Sequence, residues 1–340
     1  RRREKLTTDQ TLFLRKLARK TWAFFETFVG PEDHWLPPDN YQDHPVTVIA
    51  HRTSPTNMGF ALLANLSAYD FGYISAGQFI ERTANALRTM EALERYHGHF
   101  YNWYDTKSLK PLLPAYVSSV DSGNLAGFLL TLRPGLIELL DHHILAPRFF
   151  DGFDDTLRIL VEVAAESAPA ELAGLQSDLA STPRPTTLTA ARKYLDMLAK
   201  TTATLVNRLD VDPGDQMLWW TNALNRQCRG VLDDLIFLAP WLSLSPPEKP
   251  SDKIPCIDEI PTLRELAELD AKILPVIEQR LQAVENPDEG VWNWSKTKDL
   301  INSCPRTFVE LLKNVRSSLR RLQRKKNILR WCLHESILEF

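Results

Sequence analysis

Three stretches within the first 143 residues hold most of the side chains able to recognise a polar ligand. The first runs from Trp35 through Asp39, Asn40 and Tyr41 to His51, Arg52, Thr53, Ser54 and Asn57. The second holds His99, Tyr101, Asn102, Trp103, Tyr104 and Asp105, and the third Ser118, Ser119, Asp121, Ser122 and Asn124. Indole and phenol rings offer faces on which another ring can stack, while carboxylates, amides and hydroxyls form directed hydrogen bonds. Flat apolar faces beside dense polar groups suit a sugar. Asp121, Trp103, Tyr101, Tyr104, Asp105, Asn57, Arg52, His99, Trp35 and Asn124 are the candidate sugar-binding residues.

Chemistry at a glycosidic bond uses one carboxylic acid and one carboxylate about 5 to 9.5 Å apart. Asp39, Asp105 and Asp121 could supply such a pair, and Glu32 is the glutamate of these loops, so the sequence leaves the catalytic residues unassigned. Structural roles compete for the same side chains. Ser54, Ser118 and Asp121 are ideal helix caps, and Trp103 and Tyr104, adjacent in an extended segment, point to opposite faces so that one can be core. His51 and His99 have no histidine or carboxylate at i+4, which favours hydrogen-bonded polar roles over metal ligation; neither a metal nor a cofactor is expected.

Helices must position these stretches. From Asp9 to Val29, two adjacent i,i+4 rows (Phe13, Leu17, Phe24, Phe28 and Leu14, Ala18, Trp22, Phe25, Val29) predict one broad buried stripe, opened by a Thr7–Gln10 capping box and stopped at Gly30-Pro31. Ser54-Pro55 opens a second helix that ends near Gly72, and Ser75–Gln78 a third that ends near Gly98, a helical hairpin. His99 to Asp105 and Tyr116 to Ser118 read as extended, and a helix from Val120 or Asp121 should break at Pro134. Beyond Leu145 the pattern becomes long helices at about 152–179, 187–210, 214–239, 261–284 and 306–338. The fold class is all-α, with short strands near 99–118. Each polar stretch then lies where a loop enters a helix, and in stacked hairpins such entry points share one end of the bundle.

Composition narrows the alternatives. With 44% hydrophobic residues, nine Trp, eight Tyr and fifteen Phe among 340 residues, the chain is globular, and its 13 glycines disfavour phosphate-binding loops. A net charge of −3 gives no global attraction to nucleic acid. The basic run Lys313, Arg316, Arg320, Arg321, Arg324, Lys325, Lys326 and Arg330 shares its helix with an apolar stripe (Phe308, Leu311, Leu312, Val315, Leu319, Leu322, Leu329), as a solvated face would. Cys228, Cys256, Cys304 and Cys332 form no CxxC pair and suggest reduced thiols in a cytoplasmic setting. No stretch is long and apolar enough to span a bilayer. A start at Arg1 and a stop inside an amphipathic pattern at Phe340 suggest a piece of something larger.

The strings HRTSPTNMGFALLANLSAYDFGYI (51–74), LERYHGHFYNWYDT (93–106) and YVSSVDSGNLAG (116–127), in this order and spacing, resemble the glucoamylase-like module of bacterial cyclic β-1,2-glucan synthases; NRQCRGVLDDLIFLAPWL (225–242) matches more loosely. The resemblance implies an (α/α)6 toroid that rearranges β-1,2-glucan by glycosyl transfer, closing linear chains into rings. Asp121, Tyr101, Trp103 and Tyr104 would line sugar subsites. Residues 1–143 would be the N-terminal half of the toroid, 144–305 a helical insertion, and 306–340 an amphipathic basic helix returning toward the toroid. The family's catalytic glutamates would lie beyond Phe340. The implied partners are β-1,2-glucan and the remaining domains of one polypeptide on the cytoplasmic side of the bacterial inner membrane, with membrane contact through parts outside this segment and no nucleic acid. The competing reading is an α-helical scaffold that docks a partner or a membrane surface through its basic last helix.

Overall fold

The computed structural model describes residues 5–164, 170–208, 215–244, 254, 256–283 and 296–301. Within them the chain is all-α with three two-stranded antiparallel ribbons, in two compact units. The predicted basic helix at 306–338 and Cys304 and Cys332 lie outside the described residues.

One unit contains residues 13–70 and 77–138. Helix α1, Thr8–Phe28, leads into it, opened by the expected capping box: Thr7 N donates to Gln10 Oε1 at 2.9 Å and Gln10 N to Thr7 Oγ1 at 3.2 Å. The predicted stripe is buried over its C-terminal half alone. Trp22 and Val29 are inside and Phe24 lies edge-on to Phe25 and tilted against Phe28, but Phe13 (65% exposed), Leu14 and Leu17 face outward. Periodicity locates an apolar face; what covers it is a tertiary matter.

After α1 a short 3-10 turn, Pro31–Asp33, precedes a ribbon of β1 (Tyr41–Gln42) and β2 (Val48–Ile49). Strand β3 (Arg52–Thr53) follows, then α2 (Pro55–Asp70), with Ser54 Oγ accepting from Asn57 N at 3.2 Å as the predicted cap. Helix α3 is Ala76–Ala92. Strands β4 (Arg95–Tyr96) and β5 (His99–Phe100) form a hairpin, and β6 (Tyr104–Asp105) pairs with β3, opposing Arg52 to Asp105 and Thr53 to Tyr104. Residues 116–118 form no strand; a single backbone bond, Asn102 N to Tyr116 O at 2.8 Å, ties them to the aromatic segment.

Helix α4, Ser119–Glu138, runs straight through Pro134, where a break was expected. Packing overrides the proline: α4 lies along α2, with Gly59 against Phe128 and Gly135 so close to Leu66 that a Cβ would sit 2.6 Å from Leu66 Cδ1. Both helices are apolar around most of their circumference, so α2 buries Met58, Ala61, Leu62 and Tyr69 while α4 buries Leu125, Leu129 and Leu132.

The other unit holds α5 (Arg148–Ala164), α6 (Ala170–Ser181), α7 (Leu188–Arg208), α8 (Gln216–Leu238), α9 (Leu263–Ala267) and α10 (Leu269–Ala283). Asp215 caps α8 through Met217 N, and the pattern predicted as one helix at 261–284 is two, α9 having its own Thr262–Glu265 capping box. Its core includes Phe149, Phe153, Leu195, Leu198, Leu224 and Leu235. Gln227 stitches α8 to the segment 71–76, donating to Gly72 O at 2.7 Å and accepting from Thr156 at 2.8 Å. Cys228 is buried, which pushes its thiol up to about 12 and leaves it inert as a nucleophile; Cys256 is exposed.

Candidate functional site

Asp39, Arg52, Asn57, Trp103, Asn102 and Asp121 form one connected network in the first unit. Asp39 sits at the open end of the β1–β2 ribbon, its N–H bonded to Ala50 O at 3.1 Å. Its Oδ2 accepts from Arg52 Nε at 3.2 Å and Nη2 at 2.9 Å and from Asn40 at 3.0 Å, and its Oδ1 accepts from Asn57 Nδ2 at 3.2 Å. Both carboxylate oxygens are thus engaged. The Arg52 side chain is half exposed, so this ion pair contributes at most about 1 kcal/mol and serves mainly to aim the guanidinium. It is aimed over the Trp103 ring, 4.8 Å from the centroid, a contact that adds roughly 0.5–1 kcal/mol at a partly exposed position.

Asn102 connects this half to the other. It is 5% exposed, and one orientation of its amide matches every neighbour: the nitrogen donates to Asp121 Oδ2 at 2.9 Å, and the oxygen accepts from Trp103 Nε1 at 2.8 Å and Tyr116 OH at 2.7 Å. Asp121 lies in the first turn of α4, where the helix dipole favours a carboxylate. Ser118 Oγ accepts from Asp121 N at 3.1 Å and donates to its Oδ2 at 2.6 Å. One turn on, Asn124 donates to Thr56 Oγ1 at 3.1 Å, so the first turns of α2 and α4 lie side by side. Stretches far apart in sequence converge because both helix starts and the β3–β6 ribbon meet there.

Other predicted residues fall elsewhere. Tyr104 is fully buried, its hydroxyl donating to Glu94 O at 2.7 Å and accepting from Tyr101 N at 2.8 Å, and burial pushes its phenol up. It is a core residue with no face for a sugar; of the adjacent Trp103–Tyr104 pair, the tyrosine points inward. Trp35 faces Arg82, which lies 5.6 Å from its ring and 5.0 Å from that of Trp22. Arg82 bonds Phe25 O, Val29 O and Asn65 Oδ1, and burial pulls its pKa down to about 10: this cluster staples α1, α2 and α3. Asp105 turns its Oδ1 to Ser108 N at 2.6 Å, Ser108 Oγ at 2.8 Å and Lys107 N at 3.1 Å, and those bonds, led by Ser108 N, hold its carboxyl below the usual range. Its role is to close its own turn. Tyr101 and His99 accompany the β4–β5 hairpin, Tyr101 lying edge-on to Tyr104.

Asp33 is a buried carboxylate that its neighbours in the sequence do not mark. Its carboxylate is 8% exposed and receives Thr106 Oγ1 at 2.6 Å, His51 Nδ1 at 2.8 Å and Lys107 Nζ at 3.1 Å. Burial alone would raise its pKa, but the three hydrogen bonds outweigh it and hold the carboxyl below its ordinary value. His51 is therefore a hydrogen-bonded polar residue, as expected. No group of three or more His, Cys, Asp or Glu among the described residues could hold a metal, and no described helix is long and apolar enough to cross a membrane.

In sequence, this chain is 36% identical over 245 residues, 66% of its length, to the cyclic β-(1,2)-glucan synthase NdvB of Rhizobium meliloti (strain 1021), and it spans 9% of that protein. That similarity bears out the resemblance in the three strings. No protein-family model matches. Among solved structures, a candidate glucoamylase from Bacteroides fragilis NCTC 9343 aligns over 96% of this chain and 98% of its own, at 11% identity and a TM-score of 0.32.

Proposed function

We propose, from its relationship to a cyclic β-(1,2)-glucan synthase, that this chain is a glucan-binding part of a glucan-processing polypeptide, and that the Asp39–Arg52–Trp103–Asn102–Asp121 network is where the sugar lies. The observation that carries this reading is the convergence of the network itself. Arg52 covers one face of the partly exposed Trp103 ring, and in this reading a glucose ring stacks on the other. Asp121 is linked to the indole through Asn102, and Asp39 and Asn57 are linked to it through Arg52. Tyr116 (48% exposed) and Asn124 stand at the rim. Carboxylate and amide groups around an aromatic face match the alternating hydroxyls and C–H faces of a pyranose.

In this reading the bound chain is β-1,2-glucan, the reaction of the whole polypeptide is glycosyl transfer that closes a ring, and residues 144–305 are a helical insertion. Asp121 recognises hydroxyls, and the acid–base pair for the chemistry comes from the rest of the polypeptide, whose membrane-embedded parts place the module at the cytoplasmic face of the inner membrane.

The test is titration of the purified chain with linear β-1,2-gluco-oligosaccharides, followed by tryptophan fluorescence. The wild type should give a saturable change, and Trp103→Ala and Asp121→Ala should each weaken it about tenfold or more. Saturation by the wild type with both variants unaffected would remove the site; absence of any change in the wild type would remove the function.

A further inference from the structure

In the binding reading Trp103 and Asp121 meet the sugar, whereas Asn102, which joins them, is buried. We propose that Asn102 is a positioning residue that holds the Trp103 indole and the Asp121 carboxylate in one fixed register, so that stacking and hydroxyl recognition act on the same sugar ring. The inference rests on the binding reading for its ligand and on the geometry for everything else.

An amide side chain has two N–H donors and two lone pairs on oxygen. Here the oxygen spends both, on Trp103 Nε1 at 2.8 Å and Tyr116 OH at 2.7 Å, and the nitrogen gives one N–H to Asp121 Oδ2 at 2.9 Å. The backbone is tied down as well: Asn102 N donates to Tyr116 O at 2.8 Å and Trp103 O accepts from Leu112 N at 2.9 Å. Trp103 is thereby held by a hydrogen bond at its nitrogen and by Arg52 over its face. Asp121 Oδ2 is held by Asn102 and Ser118 together. The position needs a side chain that donates to a carboxylate and accepts from an indole at once. Leucine matches its shape and does neither. A carboxylate at 102 would accept from Trp103 but would set a second negative charge against Asp121. A protonated carboxyl restores the pattern, its O–H donating to Asp121 Oδ2 and its carbonyl accepting from Trp103 and Tyr116.

That proton gives a signature that a merely structural asparagine would not produce. Asn102→Leu should weaken the oligosaccharide titration about tenfold or more. Asn102→Asp should be equally weak at about pH 8 and recover toward the wild type near pH 5, as one proton comes to be shared by the paired carboxyls, while the wild-type affinity stays level over that range. A second measurement needs no ligand: with 15N-labelled tryptophan, and Trp103→Phe to identify the peak, the Trp103 indole N–H should shift and lose protection from exchange in Asn102→Leu. Wild-type affinity in Asn102→Leu, or an Asn102→Asp titration indifferent to pH, overturns the inference while leaving the binding reading in place. If the wild type shows no titration, the binding reading falls and the indole resonance decides alone, an unmoved peak in Asn102→Leu overturning the positioning role. Should Asn102→Leu fail to fold, Asn102→Asp decides: recovery with falling pH supports the inference, and its absence sinks it.

Discussion

Carboxylates that look alike in the sequence do different work. Asp39 has both oxygens engaged, Asp105 closes a turn, Asp33 is inside, and Asp121, at a helix start, accepts from Asn102, which in turn accepts from Trp103. Asp33 sets an acid limit. Its carboxyl is held below its ordinary pKa in the folded chain, so the stabilisation is present above the unfolded carboxylate pKa of about 3.9 and is lost as pH falls through the lower folded value. Asp33→Asn removes the charge that Thr106, His51 and Lys107 share, and should lower stability at neutral pH by about 1–3 kcal/mol. Urea unfolding should show that loss near pH 7 and a smaller gap between variant and wild type as pH falls below about 4. An equal gap at both pH values would mean that the ionised form is not what matters.

At the scale of elements, α2 and α4 decide the site, because their first turns carry Asn57 and Asp121. Four glycines on these helices separate close packing from open surface. A methyl at Gly59 or Gly135 would meet Phe128 or Leu66, whereas Gly123 and Gly127 have open space around them. Gly59→Ala, whose methyl would press into the Phe128 ring and sit 3.1 Å from its Cβ, should therefore cost about 1–3 kcal/mol through overpacking. Gly127→Ala, in mid-helix and unobstructed, should stabilise by roughly 0.5–1 kcal/mol. Thermal unfolding of the two variants should move in opposite directions, and a shared direction would contradict close packing of α2 on α4.

Across the whole chain, each unit has its own core, yet apolar surface remains outside both. Phe13, Leu14 and Leu17 form one exposed face on α1, and Phe60, Val120, Leu130 and Ile137 stand out on α2 and α4. Water-exposed apolar patches of this kind drive association. The isolated chain should self-associate with rising concentration, and Phe13→Glu combined with Leu17→Glu should lower the mass measured by light scattering. A monodisperse monomer at high concentration in the wild type would count against it.

Local chemistry made much of this legible in advance. The Thr7–Gln10 box, the Ser54-Pro55 start and the α7 and α8 patterns all follow from hydrogen bonds and periodicities within a few residues of each other, which a linear sequence displays. The grouping of three polar stretches was also readable, since helix starts gather loops at one end. Tertiary structure alone decided the rest. It buried Tyr104 and left Trp103 partly exposed, carried α4 through Pro134, left half of the α1 stripe uncovered, and brought Asp33 to Thr106. Each of these depends on which surface arrives from a distant part of the chain, and burial is a property of that arrival, not of the residue that is buried.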